Sequence, residues 1–191
     1  MPRVRTNDVE TYYERHGEGG ERTVVFVNGA YLDTRQWQPQ VDALADEYEL
    51  VTYDVRGQGR TAGSADERYT IELYAADLKA LVDALGLDEP VVCGLSLGGL
   101  IAQTYAVRYG RSLGGLVLAD TAVSMTLRRR DRLIVALLPV RGLTGPMRLL
   151  GMRRGVAIAL RILRWTHGEE WLGRDPEVHA YVRQTISSVD A

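Results

Sequence analysis

The sequence predicts an α/β fold: a mostly parallel sheet with helices on both faces, joined to a helical C-terminal segment. Three observations carry that expectation. Short, continuous apolar and β-branched runs recur at residues 23–27, 50–53, 91–93 and 116–119, as in strands buried on both faces. Stretches with helical periodicity separate them, so strand and helix alternate three times. From residue 124 onward no strand pattern returns.

Each element has its own signal. Residues 2–15 hold two strand-like pieces around Thr6-Asn7-Asp8, a turn-forming cluster, and read as an antiparallel hairpin. Asn28-Gly29-Ala30 ends the strand at 23–27, and a helix is expected over about 36–46. The strand at 50–53 closes on Asp54-Val55-Arg56-Gly57-Gln58-Gly59. Ile71, Leu73, Tyr74, Leu78, Leu81, Val82 and Leu85 then keep helical spacing, with Gly86 as the C-terminal stop. A helix is expected over about 97–109, ahead of the strand at 116–119. The remainder reads as helices broken at Pro139, from Gly142 to Pro146, at Gly151 and near 168–176.

The chain has 191 residues, 46% apolar and 25% charged, ordinary values for a globular protein with a sizeable core. Its charge is unevenly spread. Up to Val123 there are 11 Lys and Arg against 19 Asp and Glu, whereas the rest holds 12 Arg against 6 acidic residues. That change sets the expected division into an α/β core at 1–123 and a helical cap subdomain at 124–191. Arginines such as Arg128, Arg129, Arg130, Arg153 and Arg154 read as facing water or the acidic core while apolar faces roof a pocket. A basic surface for an anionic membrane or acidic substrate is the weaker reading. The acidic sheet region argues against nucleic-acid binding.

Cys93 is the single cysteine, so no intrachain disulfide can form and it reads as a small buried residue. No N-terminal apolar leader is evident, and no run approaches the roughly 18 residues that span a bilayer. A cytoplasmic protein without metal or cofactor is expected. The glycine-rich segment after residue 53 is neither Gly-x-x-x-x-Gly-Lys-Ser/Thr nor Gly-x-Gly-x-x-Gly, which leaves phosphate and dinucleotide binding with little support.

The chemistry is concentrated at Cys93-Gly94-Leu95-Ser96-Leu97-Gly98-Gly99. Gly-x-Ser-x-Gly between a strand and a helix is the context of a nucleophile elbow, which lifts a serine hydroxyl clear of the sheet. Ser96 is therefore the candidate nucleophile, against the plainer reading of an ordinary serine in a tight turn. The loop after the first parallel strand supplies one oxyanion donor in such sheets, and the residue after the nucleophile supplies the other. By position these are the N–H groups of Ala30 and Leu97.

Taken in this order and spacing, Asn28-Gly29-Ala30, Asp54-Val55-Arg56-Gly57-Gln58-Gly59-Arg60-Thr61 and the elbow resemble the α/β-hydrolases of the esterase, lactonase and cofactor-free haloperoxidase group. The resemblance covers roughly residues 4–123, and the helical stretch after it resembles that family's cap. In relatives the first loop reads His-Gly and the second Asp-x-Arg-Gly-His-Gly-x-Ser; here Asn28, Gln58 and Thr61 depart from that pattern. A serine at position 96, where dehalogenases and epoxide hydrolases carry aspartate, implies an ester, thioester or lactone substrate attacked by Ser96.

The resemblance also implies an acid and a histidine base on strands later than any strand seen here. His16 lies ahead of every catalytic loop, and His167 and His179 fall in the cap region, each reading first as a solvated or packing residue. Asp120 reads first as a turn residue and second as an alternative acid. The chain is therefore expected to be nearly inert by itself, with a sheet edge exposed to self-association as a homo-oligomer. A non-catalytic binding or scaffold protein that keeps the pocket is the alternative.

Overall fold

The N-terminal hairpin pairs β1 (Arg3–Thr6) with β2 (Val9–His16), Thr6 lying opposite Val9. Asn7 turns the chain at φ 52°, a left-handed conformation that a short polar side chain tolerates. This computed structural model describes residues 2–17, 20–63 and 69–123. All of them fall in the first of the two units into which the chain divides, Met1–Val123 and Ser124–Ala191. The helical segment expected at 124–191, with His167 and His179, lies outside the described residues.

Beyond the hairpin come β3 (Thr23–Val27), β4 (Glu49–Tyr53), β5 (Val91–Leu95) and β6 (Gly115–Ala119). The six strands form one sheet in the order β1-β2-β4-β3-β5-β6. β2 runs antiparallel to β4, while β4, β3, β5 and β6 run parallel to one another. The sheet is thus mostly parallel, as the apolar runs imply.

The helices are α1 (Gln38–Leu44), α2 (Ile71–Ala84) and α3 (Leu97–Tyr109). Period-two alternation along the strands splits the core between the two faces of the sheet. Val25, Val27, Val51, Tyr53 and Val92 pack with α2 and α3 residues such as Leu78, Leu81, Ile101 and Tyr105. Phe26, Leu50 and Cys93 pack on the other side with Trp37 and Val41. The thiol of Cys93 is buried as the sequence implies, and burial pushes its pKa up. α2 stops where glycine allows it: Gly86 takes φ 65°, its N–H bonds Asp83 O at 3.1 Å and Leu87 N–H bonds Val82 O at 3.0 Å.

One element differs from expectation. In place of a single helix over 36–46, the chain makes a 3₁₀ turn at Thr34–Trp37 and only then α1. Asp33 caps that turn by accepting from Arg35 N–H at 3.0 Å. Pro39 has no N–H to donate and is tolerated only in a first helical turn, so the α-helix begins at Gln38.

Among the described residues β6 ends the sheet, with Leu116, Val117 and Leu118 38%, 48% and 44% exposed. No described helix is long and apolar enough to cross a membrane.

Candidate active site

The strand order places a reversal at β3 and β5. From β3 the chain moves to β4 on one side, and from β5 it moves to β6 on the other. The loops leaving these adjacent strands diverge to opposite faces, opening a crevice beyond their carboxyl ends where α/β sheets bind ligands. β3 and β5 are paired with Val27 opposite Gly94. Ala30 and Ser96, three and two residues further on, therefore share one end of the sheet.

Ser96 adopts φ 52°, ψ −111° between β5 and α3. A left-handed serine is a strained conformation that persists only where surrounding structure holds it. The surroundings do so closely. A Cβ on Gly94 would fall on the Gly98 carbonyl, and a Cβ on Gly98 would fall on the Val27 carbonyl. The first turn of α3 thus lies backbone against backbone on the end of β3. Ser96 N–H donates to Ala119 O at 3.0 Å, and its carbonyl accepts from Thr121 Oγ1 at 2.7 Å. Its side chain is exposed, and Leu97 opens α3, where a helix N–H has no intrahelical acceptor.

The loop carrying Ala30 is fixed by polar contacts at its start. Asn28 is fully buried, its Nδ2 donating to Tyr53 O at 3.0 Å and to Leu32 O at 3.4 Å. Its Oδ1 accepts from Trp37 Nε1 at 2.9 Å. Gly29 N–H is engaged by Gln36 Oε1 at 3.0 Å, so Ala30 carries the next N–H of the loop. Tyr31 follows at φ 63° and is exposed. An asparagine where the resembling family carries histidine thus serves as a structural pin.

The segment after β4 is built around two buried charges. Arg56 is buried, with Nε 2.7 Å from Asp77 Oδ2 and Nη2 2.7 Å from Asp77 Oδ1. Its Nη2 also lies 2.6 Å from Asp8 Oδ1, so one guanidinium ties this loop to α2 and to the hairpin turn. These carboxylates, Asp77 first, hold the Arg56 pKa above its already high ordinary value. Asp54 is fully buried and accepts from the backbone N–H groups of Thr34 and Arg60.

The described histidine stands apart from Ser96. His16 pairs with Leu50 at the start of β4, whereas the crevice lies beyond Tyr53 at that strand's other end. Three residues of strand separate the two ends by roughly 10 Å. His16 Nε2 lies 3.4 Å from Glu14 Oε2. Asp120 is exposed at φ 42°, directly after Ala119, on the segment that hydrogen-bonds the elbow. Among the described residues no cluster of His, Cys, Asp and Glu could hold a metal ion. The pins formed by Gln36, Trp37 and Thr121 had no signature in the sequence, and Asp54 stood there as the first residue of a motif whose partners local periodicity does not report.

Residues 22–142 match the family model for the alpha/beta hydrolase fold. The chain belongs to the α/β-hydrolase fold family. It is 37% identical over 111 residues to RutD of Agrobacterium fabrum, named as a carbamate hydrolase, a match covering 57% of this chain and 42% of that protein. The enol-lactonase structure from Burkholderia xenovorans LB400 matches 98% of this chain and 66% of its own, at 29% identity and TM-score 0.73. A thermophilic esterase from Thermogutta terrifontis, with malate bound, matches 99% of this α/β-hydrolase chain and 68% of its own, at 29% identity and TM-score 0.76. The chain spans about half the length, or less, of the curated relatives it matches.

Proposed function

We propose that this α/β-hydrolase chain carries the nucleophile and oxyanion hole of a serine hydrolase acting on ester, thioester or lactone carbonyls. The observation that carries the reading is Ser96 held at φ 52°, ψ −111° at the sheet's reversal point. In this reading Ser96 Oγ attacks the substrate carbonyl carbon, and its proton passes to a base. The carbonyl oxygen becomes an oxyanion that accepts from the N–H groups of Ala30 and Leu97. Collapse of the tetrahedral species breaks the bond to the leaving group, which departs with the proton and leaves an acyl-Ser96 ester. Water then attacks that ester and frees the acid and the serine.

Relatives and neighbours named as a carbamate hydrolase, an enol-lactonase and an esterase support this carbonyl chemistry. His16 is too far along β2 to serve, so the base is a histidine outside the described residues. Without a base in place, binding and the oxyanion hole alone sustain about 10³–10⁴ over the reaction in water.

The test is p-nitrophenyl acetate turnover with rapid early sampling. One equivalent of p-nitrophenol should appear ahead of a slow steady phase and vanish in Ser96→Ala. Release at the Ser96→Ala rate throughout would leave the non-catalytic binding reading.

A further inference from the structure

The Ala30 loop is stapled at both ends to the carboxyl end of β4. Asn28 Nδ2 holds its start against Tyr53 O, and its far end is held by Asp54. Asp54 Oδ1 accepts from Thr34 N–H at 2.8 Å, where the 3₁₀ turn after the loop begins. Asp54 Oδ2 accepts from Arg60 N–H at 2.7 Å. One buried carboxylate therefore joins the loop of the candidate oxyanion donor to the loop after β4, using a different oxygen for each. Gly59 leaves space for this: at φ 54°, a Cβ there would land on the Asp54 carboxylate.

We propose that Asp54 is a positioning residue whose ionised carboxylate clamps the Ala30 loop through Thr34 and Arg60, so that the oxyanion hole loosens when Asp54 takes up a proton. The proposal rests on the serine-hydrolase reading for its effect on reactivity, but the clamp itself does not. A carboxylate accepts at both oxygens. A carboxylic acid turns one oxygen into an O–H donor, and that oxygen then faces an N–H donor. Protonation thus weakens one of the two clamps.

The protonation range follows from the surroundings. Burial pushes the Asp54 pKa up to about 6, against the lowering effect of the Arg60 and Thr34 N–H groups. Asp33 and the Arg60 guanidinium face it with opposite charges, and Asp33 is itself paired with Arg35. From β2, the Tyr12 hydroxyl lies within its field and is bonded to Glu14, which also pairs with Arg60. The native pKa lies above the ordinary 3.8, so the folded protein binds this proton more tightly than the unfolded chain. Ionised Asp54 therefore detracts from stability above pH 6, and this loss disappears as pH falls toward 4. The carboxylate is kept charged near neutrality at the expense of stability, as a positioning role requires.

The experiment is amide hydrogen exchange on the whole chain between pH 5 and pH 7.5, with each rate normalised to its intrinsic value. Protection of the Thr34 amide, the Arg60 amide or both should fall about tenfold or more on acidification, while Val25 and Val51 stay protected. Protection of both that is unchanged with pH would overturn the clamp, and this arm needs no variant. In parallel, fluorophosphonate labelling of Ser96 is followed over the same range in wild type and Asp54→Asn. The amide keeps one acceptor and turns Nδ2 toward the other N–H, so labelling should fall about tenfold at pH 7.5 and lose its step near pH 6. A variant that folds and labels like wild type, with the same pH step, would also overturn the proposal. A wild type that exchanges as expected but never labels would contradict the hydrolase reading and leave the clamp standing.

Discussion

Gly98→Ala is expected to cut fluorophosphonate labelling of Ser96 by about 10²–10³, the usual loss when one oxyanion donor is displaced. The added methyl would fall on the Val27 carbonyl oxygen and close to that of Asn28. Both are backbone atoms at the buried end of β3, with no flexible side chain that could yield. Either the first turn of α3 must lift, carrying Leu97 N–H with it, or the end of β3 must move, carrying the Ala30 loop. Both routes change the separation of the two candidate donors. The same clash should cost about 1–3 kcal/mol in urea denaturation. Gly110, just past the other end of α3, is the control: nothing lies within 4 Å of its Cβ position. Gly110→Ala should label like wild type. Equal labelling by Gly98→Ala and Gly110→Ala would mean that this contact does not set the site.

The largest stability effect is expected at Arg56. Arg56→Met should destabilise the fold by about 3–5 kcal/mol, because it leaves a buried charge unpaired. The two carboxylates around it are not equivalent. Asp8 is 55% exposed and can rehydrate, whereas the Asp77 side chain is 6% exposed and, among the described residues, keeps Asn7 Nδ2 as its side-chain donor. The double variant Arg56→Met with Asp77→Leu should therefore recover much of the loss, since an apolar pair of similar volume often replaces a buried ion pair at little cost. Urea midpoints of the two single variants and the double variant measure this directly. A double variant no more stable than Arg56→Met would show that the pair stabilises through geometry that apolar packing does not replace.

The sheet was legible because its signals are local. The run Thr-Val-Val-Phe-Val is β3 from end to end, and Gly86 stops α2 one residue past its cap. The helix after the elbow spans 97–109 as expected, because Gly-x-Ser-x-Gly fixes where the strand stops and the helix begins. The hairpin followed from turn residues at 6–8. Less legible were contacts in which a polar side chain reaches across the fold. Arg56 and Asp77 are 21 residues apart, and Thr121 reaches back 25 residues to Ser96. Neither apolar periodicity nor turn chemistry reports such a pairing.

The segment 54–61 shows both sides of this. Its glycines marked a turn, but the reason for Gly59 is the carboxylate beside it, which only the folded chain brings into view. The start of α1 differs from the expected one for a similar reason. Apolar spacing marks the helix, while Asp33 and Pro39 decide how it begins.

In the proposed reading Ser96 is a nucleophile held ready by the elbow. Intact mass spectrometry of the folded chain after exposure to a fluorophosphonate, beside Ser96→Ala, tests it most directly. A single adduct should form on the folded chain and be absent from Ser96→Ala. A folded chain that gains no more mass than Ser96→Ala would contradict the account and leave an α/β-hydrolase fold whose elbow serine does no chemistry.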